Sequence, residues 1–235
     1  MTYRNGPATP AAPPTPVIES GSESRDVKTH MIDIAEQMFA ERGLDGVSMR
    51  DVASAAGQRN NSAVQYHFGS RDGLIVEVLR RRMGAIHADR LVRLHEADES
   101  GLGADVPTLV SVLLEPFVEA IRRSPQPTHY GRFLAKVGPL VGPTIPEITE
   151  RRTPPDDVVT RLIDALDHVP KRTAFERIDL AMQMFIGALA VHEDRQDSAP
   201  PVEIADFERT VVHLYDMTLA GLLAPDSTST GDRRA

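Results

Sequence analysis

The sequence contains no cysteine and no tryptophan, and aromatic residues make up only 5% of its 235 positions. Without cysteine the chain cannot form a disulfide scaffold, a thiol nucleophile or a cysteinyl metal site, and it fits a reducing cytosol. No apolar run approaches the ~20 residues of a membrane-spanning helix. The N-terminus lacks a basic segment followed by an apolar stretch, so we expect no signal peptide and a cytoplasmic location.

Positive charge is also scarce, since the formal net charge is −8. The deficit is uneven: residues 24–82 hold nine Lys/Arg and eight Asp/Glu, whereas the rest of the chain holds seventeen and twenty-six. An acidic whole argues against a protein that simply coats nucleic acid. The near-neutral first segment would bind DNA through a few well-placed contacts rather than through a strong field.

Both ends of the chain are poor in apolar residues. Residues 1–22 are rich in Pro, Ala, Ser and Thr, and residues 225–235 are polar, so we expect two disordered tails. Between them nearly every segment has helical periodicity, and no convincing strand alternation occurs. Ser24 is a plausible N-cap of the first helix and Gly43 a plausible stop. We expect an all-α fold of about nine helices, in which an N-terminal three-helix unit joins a larger helical bundle.

Residues 48–74 read as a short helix, a glycine turn, a second short helix and a longer helix. Ser48 opens the first of these, with Asp51 completing a short-armed capping box, and Gly57 ends it. The second short helix spans about Asn61–Tyr66, and Ser70 caps the long one. Two short helices joined by a tight glycine turn can place the second helix in the major groove of DNA.

The predicted recognition helix carries side chains suited to base edges. Arg pairs with the two acceptors of guanine, and Asn or Gln pairs with the edge of adenine. Residues of these types, with a small Ser among them, cluster before and within the helix: Arg59, Asn60, Asn61, Ser62 and Gln65.

This segment resembles the DNA-binding domain of the TetR family of transcriptional regulators. Ala35–Gly43 matches the family's AxxxFAExG pattern, and Ser48–Gly57 matches S-x-x-x-[VI]-A-x-x-A-G. The Tyr-His-Phe run at 66–68 and the S-[KR]-[DE]-x-L pattern at Ser70–Leu74 follow in the family's order. The resemblance covers about 50 of the 235 residues.

The chain departs from the family pattern by one extra residue between Gly57 and His67. Gln65 therefore takes the place of the usual phosphate-contacting tyrosine, with Tyr66 beside it. Tyr66 either donates its hydroxyl to a phosphate or packs as a wedge beside the first helix. The resemblance implies candidate contacts to the DNA backbone at Lys28, Thr29, Ser48, Arg50, Gln65, Tyr66, His67 and Arg71. It implies candidate base contacts at Arg59, Asn60, Asn61, Ser62 and Ala63.

The resemblance further implies a division of labour along the chain. Residues 23–69 would form the helix-turn-helix DNA-binding domain, and residues 70–224 an effector-binding and dimerisation domain. The expected protein is a homodimer that binds a palindromic DNA operator, acts as a repressor, and is released by a small, mostly apolar effector.

Charges near the expected pocket at His129, Arg132 and Lys136 could meet an anionic head group. Apolar side chains that could line the pocket are Phe117, Tyr130, Phe133, Leu134, Val137, Met182 and Phe185.

Two long amphipathic helices near the C-terminus suit a two-fold four-helix interface. The alternative is that their apolar stripes fill the core of the single chain, and periodicity alone does not separate the two. The candidate interface residues are Phe175, Ile178, Ile186, Leu189, Phe207, Val211, Leu214, Thr218 and Leu222.

Signatures of catalysis are missing from the sequence. The histidines form no HExxH pair, and there is no nucleophile elbow or P-loop. His192–Asp194 gathers ligand types, but successive helical residues point in different directions. We therefore expect no catalytic residue, no metal site and no cofactor. The alternative to a regulator is an all-α small-molecule binding protein with a vestigial DNA-binding domain.

Overall fold

The computed structural model describes residues 20–58, 62–123, 128–138, 157–196 and 207–226. Within these ranges the chain is all-helical, as expected, with nine helices and no strand. The two expected tails lie outside the described residues, except for Ser20–Ser22 and Pro225–Asp226. The helices are α1 (Ser20–Arg42), α2 (Met49–Ala55), α3 (Ser62–Phe68), α4 (Arg71–Glu99), α5 (Val106–Arg122), α6 (Tyr130–Val137), α7 (Val158–Ala165), α8 (Lys171–Gln196) and α9 (Phe207–Leu223).

Helix α1 begins earlier than the sequence indicated. It starts at Ser20, so the expected N-cap Ser24 lies inside the helix, and the N-terminal tail ends sooner than residue 22. The other end is as predicted. Gly43 adopts a φ of 76°, a left-handed conformation that favours glycine, and its N–H donates to the Phe39 carbonyl at 3.0 Å.

The first three helices and the start of α4 share one small core. Apolar side chains with no more than 2% exposure come from all four helices, and they exclude water from the centre of the unit. They are Met31, Ala35, Phe39, Val52, Ala53, Val64, Leu74, Ile75 and Val78.

Helix α4 continues from this core into the second unit. Ser70 caps it as predicted, because the Ser70 hydroxyl accepts the Gly73 N–H at 3.0 Å. The helical periodicity of the sequence predicts that Leu91 lies on the buried stripe of α4. This is wrong, since Leu91 is 62% exposed. The buried stripe of the second half passes instead through Arg90 and Leu94. The charged residue Arg90 therefore occupies a buried position that a search for apolar residues does not detect.

Helix α6 joins the two units. Phe133 on one side of α6 packs against α1, and Gly131 on the other side lies against α8. A Cβ at Gly131 would sit 3.0 Å from the backbone of Leu189 and Ala190, so glycine permits this close crossing. The buried carboxylate of Glu193 on α8 accepts the N–H groups of Gly131 at 3.1 Å and Arg132 at 2.9 Å. It thereby caps the start of α6.

The last two helices pack side by side. The Arg177 guanidinium on α8 donates to the carbonyls of Leu222 at 3.1 Å and Pro225 at 2.8 Å, which satisfies the C-terminal end of α9. The sequence predicts a helix over about 173–193 here, and α8 is longer at both ends. In the described part of the chain, no helix combines the length and the apolar character needed to cross a membrane.

Candidate DNA-binding interface

The first helix of the expected helix-turn-helix begins at a complete capping box. The Ser48 hydroxyl accepts the Asp51 N–H at 3.2 Å, and the Asp51 carboxylate accepts the Ser48 N–H at 2.9 Å. Hydrogen bonds from the Ser48 side chain and backbone lower the pKa of Asp51. The predicted box is therefore confirmed. The Ser48 hydroxyl already caps α2, so a phosphate bound there would compete with the capping box for the same hydroxyl.

The turn between the two helices follows the predicted glycine. Gly57 has a φ of 67°, and the Gln58 N–H donates to the Ala53 carbonyl at 2.9 Å, which closes the end of α2. Helix α3 then extends to Phe68, two residues beyond the expected Tyr66, and ends at Gly69 with a φ of 71°. Four predicted base contacts fall where the structure gives no side-chain description: Arg59, Asn60, Asn61 and Ala63.

Helix α3 has one buried and one exposed face. Val64 is fully buried and Phe68 is 9% exposed, so these two side chains fix the helix on the core. Ser62 and Gln65 lie on the exposed side, and Tyr66 is 84% exposed. The expectation that Tyr66 packs as a wedge beside the first helix is therefore wrong. Its hydroxyl is presented to solvent, where a phosphate can reach it.

The remaining candidates near this surface have different environments. The half-buried His67 ring lies between its neighbours, with centroids 5.3 Å from Tyr66 and 6.1 Å from Phe68, which fits a role in ordering the α3–α4 turn. Arg50 on α2 is exposed. On α1, the Lys28 ammonium pairs with Glu77 at 3.0 Å, and the Thr29 carbonyl accepts from Arg81 at 3.3 Å. The Lys28 side chain and the Thr29 carbonyl therefore face α4.

Arg71 is engaged inside the protein. Its Nε donates to the Val47 carbonyl at 3.2 Å and its Nη2 to the Leu44 carbonyl, while Asp45 lies 3.4 Å from Nη2. The guanidinium therefore pins the turn between α1 and α2. The sequence favoured a phosphate contact for this residue, and in the described conformation the carbonyls of the turn occupy it instead.

The arginine triplet at 80–82 also has an internal role. The Arg81 Nη1 donates to the Asp33 carboxylate at 2.7 Å. The Arg82 Nε and Nη2 donate to the buried Glu36 carboxylate at 2.8 and 3.0 Å. These pairs tie α4 to α1. From the sequence alone, three consecutive arginines are expected either to contact DNA or, more often, to form a solvated helix face. The signal that was missed is the spacing of Asp33 and Glu36, which places both carboxylates on one face of α1.

Three of the predicted effector residues come together in the second unit. The Phe117 ring lies 6.4 Å from the Tyr130 ring and 6.1 Å from the Phe185 ring. All seven belong to the hydrophobic core or pack against it, since six are buried and Met182 is half-buried. Their role in binding stays a prediction.

Most of the predicted dimer residues are buried within the single chain, although Thr218 and Leu222 also line a surface groove between α8 and α9. The α8 and α9 stripes pack against each other and against α5 and α6, so they fill the core of the single chain, as the alternative allowed. Phe175 is 48% exposed, and Ile186 and Phe207 are half-buried. Buried within the chain are Ile178, Leu189, Val211, Leu214, Thr218 and Leu222.

Other apolar side chains of α8 and α9 reach the surface. Leu180 is 63% exposed and Met217 is 58% exposed. Together with Met184 and Gly221 they line a surface groove of about 230 Å3 between the two helices. The hydrophobic pattern missed these positions because it identifies the most apolar stripe of each helix, and in α8 and α9 that stripe packs in the core of the chain.

Comparison with known families decides the identity of the N-terminal unit. Residues 31–78 match the model of bacterial regulatory proteins of the tetR family. The helix-turn-helix unit of this chain is a TetR-family domain. The matched residues run from the middle of α1 through the helix-turn-helix to the first part of α4, so the resemblance stated from the motifs is confirmed.

Curated relatives of this chain match it over the same segment. The chain is 41% identical over 68 residues to the HTH-type transcriptional repressor KstR2 of Rhodococcus jostii, which is 29% of this chain and 32% of the relative. It is 36% identical over 69 residues to KstR2 of Mycolicibacterium smegmatis, or 29% and 31% of the two chains. The match thus spans about a third of each relative's length. These relatives are named as regulators rather than enzymes.

Solved structures extend the likeness to the rest of the fold. The ketosteroid transcriptional regulator KstR2 of Mycobacterium tuberculosis superposes with a TM-score of 0.54 at 19% identity, covering 83% of this chain and 93% of that one. NalD of Pseudomonas aeruginosa, the secondary repressor of the MexAB-OprM efflux pump, gives a TM-score of 0.52 at 20% identity, covering 84% and 97%. At these identities the comparison concerns the fold alone.

Proposed function

We propose that this TetR-family protein is a sequence-specific DNA-binding transcriptional repressor that works in the cytoplasm. One observation carries the proposal. Val64 and Phe68 hold α3 on the core, while Ser62, Gln65 and Tyr66 project to solvent from the helix that follows the turn. This arrangement presents polar side chains to base edges and phosphates while the helix itself stays rigidly seated. The repressor names of the curated relatives support the same function.

The proposed repressor is a homodimer on a palindromic operator. We place its interface on the exposed apolar groove between α8 and α9, at Leu180, Met184 and Met217, rather than on the buried stripes that the sequence indicated. Two-fold symmetry places the two recognition helices in successive major grooves, so half-sites should lie about 34–36 Å apart.

The larger unit, residues 70–224, is proposed to bind a small, mostly apolar effector among the aromatic side chains around Phe117. Binding would release the operator only to the extent that the effector prefers the conformation that binds DNA less well. Helix α6 offers the physical connection, because it contacts this aromatic cluster through Tyr130 and α1 through Phe133. The ketosteroid in the name of one structural neighbour is not carried over, since that likeness is of fold.

Selection of random double-stranded DNA by the purified full chain at physiological salt tests the proposal. A palindromic motif with half-sites one helical turn apart is the expected result. Arg59→Ala should change the enriched motif. The matched control Arg172→Ala removes the same charge from a solvent-exposed position on α8 and should leave the motif intact.

An unenriched pool would contradict the proposal once bound small molecules have been removed by unfolding and refolding. Tight binding of a small molecule by such a protein, with no DNA affinity even at low salt, would support a binding protein with a vestigial DNA-binding domain.

A further inference from the structure

Arg90 is a cation in an apolar position. It lies on the buried stripe of α4 between Ile86 and Leu94, and it is only 7% exposed. Burying a guanidinium is unfavourable unless hydrogen bonds and an opposite charge replace the lost water. The contacts around Arg90 therefore indicate what this position is built to bind.

The described contacts satisfy the Arg90 guanidinium only in part. Its Nη2 donates to the Leu113 carbonyl at 2.7 Å, and its central carbon lies 5.2 Å from the centroid of the Phe117 ring. The buried Nε has no hydrogen-bond partner in the described part of the chain. Burial lowers the pKa of Arg90 to about 10, although Asp157 at the start of α7 attracts its charge. The side chain thus stays cationic at neutral pH.

This cation borders the predicted effector cluster. Phe117, which faces the guanidinium, also contacts the rings of Tyr130 and Phe185. Burial and the neighbouring Arg90 lower the pKa of His87, which lies one turn before Arg90 on α4. The Arg82 guanidinium also lies near these rings, 5.7 Å from that of Tyr130, but it is paired with Glu36. Arg90 therefore supplies the positive charge beside Phe117.

The cations that the sequence suggested for an anionic head group are placed differently. The Arg132 guanidinium pairs with Asp194 at 3.2 Å, contacts His129 and lies 3.8 Å from the Glu193 carboxylate. Lys136 is exposed at the surface. Sequence reasoning favoured these residues because they lie close to Tyr130 and Phe133 in the chain.

We infer that the effector is a monocarboxylic acid with an apolar body, and that Arg90 binds its carboxylate. The inference rests on the proposed function, since it names the chemical class of that effector. The Nε and an Nη of a guanidinium form a fork that matches the two oxygens of a carboxylate. One carboxylate balances one buried charge, whereas a phosphate monoester carries nearly two negative charges.

The apolar body of the acid would lie among Phe117, Tyr130 and Phe185. These rings are in contact in the present conformation, so binding must move them apart. Since Arg90 belongs to α4, the same movement acts on the helix whose first part packs against the DNA-binding core.

Matched acids and alcohols test this inference with the full-length protein. Calorimetric titration at pH 7.5 compares decanoate with decanol and 2-naphthoate with 2-naphthol, so that each pair differs in charge but not in apolar body. In at least one pair the acid should bind about tenfold more tightly or better, as expected for a charged hydrogen-bonded pair.

Variants then assign the preference to a residue. Arg90→Met should remove the preference for the acid while leaving the alcohol's affinity unchanged, and it should fold, because replacing a buried charge by an apolar side chain is often neutral or stabilising. Lys136→Met is the matched control and should keep the preference. If Arg90→Met does not fold, Arg90→Lys serves instead. It keeps the charge but loses the fork, so acid affinity should fall and alcohol affinity should not.

Equal binding of acid and alcohol in both pairs would overturn the inference, as would failure of both acids to bind. A preference that survives in Arg90→Met would also overturn it, because the charge would then lie elsewhere. These outcomes leave the proposed function standing, since that depends on the DNA selection. Arg90→Met should still enrich the operator motif of the unaltered protein.

Discussion

The Phe39 ring on α1 lies 6.2 Å from the Phe133 ring on α6, and neither side chain is exposed. This contact joins the core of the helix-turn-helix unit to the larger helical unit. Close by, the Arg82 guanidinium lies 5.7 Å from the ring of Tyr130, the first residue of α6. Helix α6 is in turn held to α8 by Gly131 and Glu193. A change in the larger unit therefore has a direct packed route to α1.

Phe133→Ala should destabilise the protein by about 3–5 kcal/mol, because it removes a fully buried ring and leaves a cavity. The free energy of unfolding, measured in denaturant, checks this. Leu91→Ala is the control, since Leu91 is 62% exposed, and it should stay within about 0.5 kcal/mol. Equal effects of the two substitutions would show that the α1–α6 contact is not a stabilising one.

Tyr66→Phe should weaken binding to operator and to random DNA alike, by the few-fold that one hydrogen bond contributes. The melting temperature should not change, because Tyr66 is 84% exposed. Tyr215→Phe is the matched control. The Tyr215 hydroxyl donates to Glu115 at 2.7 Å inside the protein, so its loss should lower stability and spare DNA affinity. Unchanged DNA binding in Tyr66→Phe would rule out a phosphate contact from this hydroxyl.

Leu180→Asp should convert the proposed dimer into a folded monomer, because it puts a charge into the exposed apolar groove between α8 and α9. Sedimentation checks the oligomeric state, and operator affinity should fall with it. Val212→Asp makes the same change at a position on α9 that is 57% exposed and lies outside the groove. A dimer that survives the first change but not the second would place the interface elsewhere.

Glu193→Gln should alter how stability depends on pH. Burial raises the pKa of Glu193 above its ordinary value of 4.5, against the bonds from Thr128, Arg132 and Gly131 that lower it. A raised pKa means that the folded state holds the proton more tightly, so this contribution to stability is largest below pH 4.5 and declines as pH rises through the raised value. Chemical unfolding from pH 4 to 8 should therefore show the wild type losing stability relative to Glu193→Gln.

The exposed Glu96→Gln serves as the control for that experiment and should track the wild type at every pH. A wild type that instead gains stability over Glu193→Gln with rising pH would mean that the hydrogen bonds outweigh the burial of the carboxylate.

Features set by neighbours in the sequence were predictable. Ser48 with Asp51, Gly43, Gly57 and Ser70 act over three or four residues, and each lies where the pattern placed it. The TetR resemblance was recognisable for the same reason, since its motif is a run of such local features.

Features set by distant parts of the chain were not predictable. Periodicity identified the apolar stripe of α9 around Leu214, but whether that stripe meets its own chain or a second one depends on how α5 and α8 pack. The partners of charged residues were equally unpredictable, as Arg71 and Arg81 show. A cation beside a DNA-binding motif suggests a phosphate partner, yet their described partners lie 24 to 52 residues away in the chain.

The ion pairs within α4 and between α4 and α1 have a kinetic consequence. Lys28, Arg80, Arg81 and Arg82 have carboxylate partners, and Arg71 holds the α1–α2 turn. Cations that are already paired with carboxylates displace few counterions from a DNA duplex. Non-specific binding to DNA should therefore be short-lived and only weakly sensitive to salt. The proposed repressor would therefore find its operator by repeated encounters from solution, with little one-dimensional sliding. Its occupancy would then respond to the proposed effector more than to the ionic conditions of the cell.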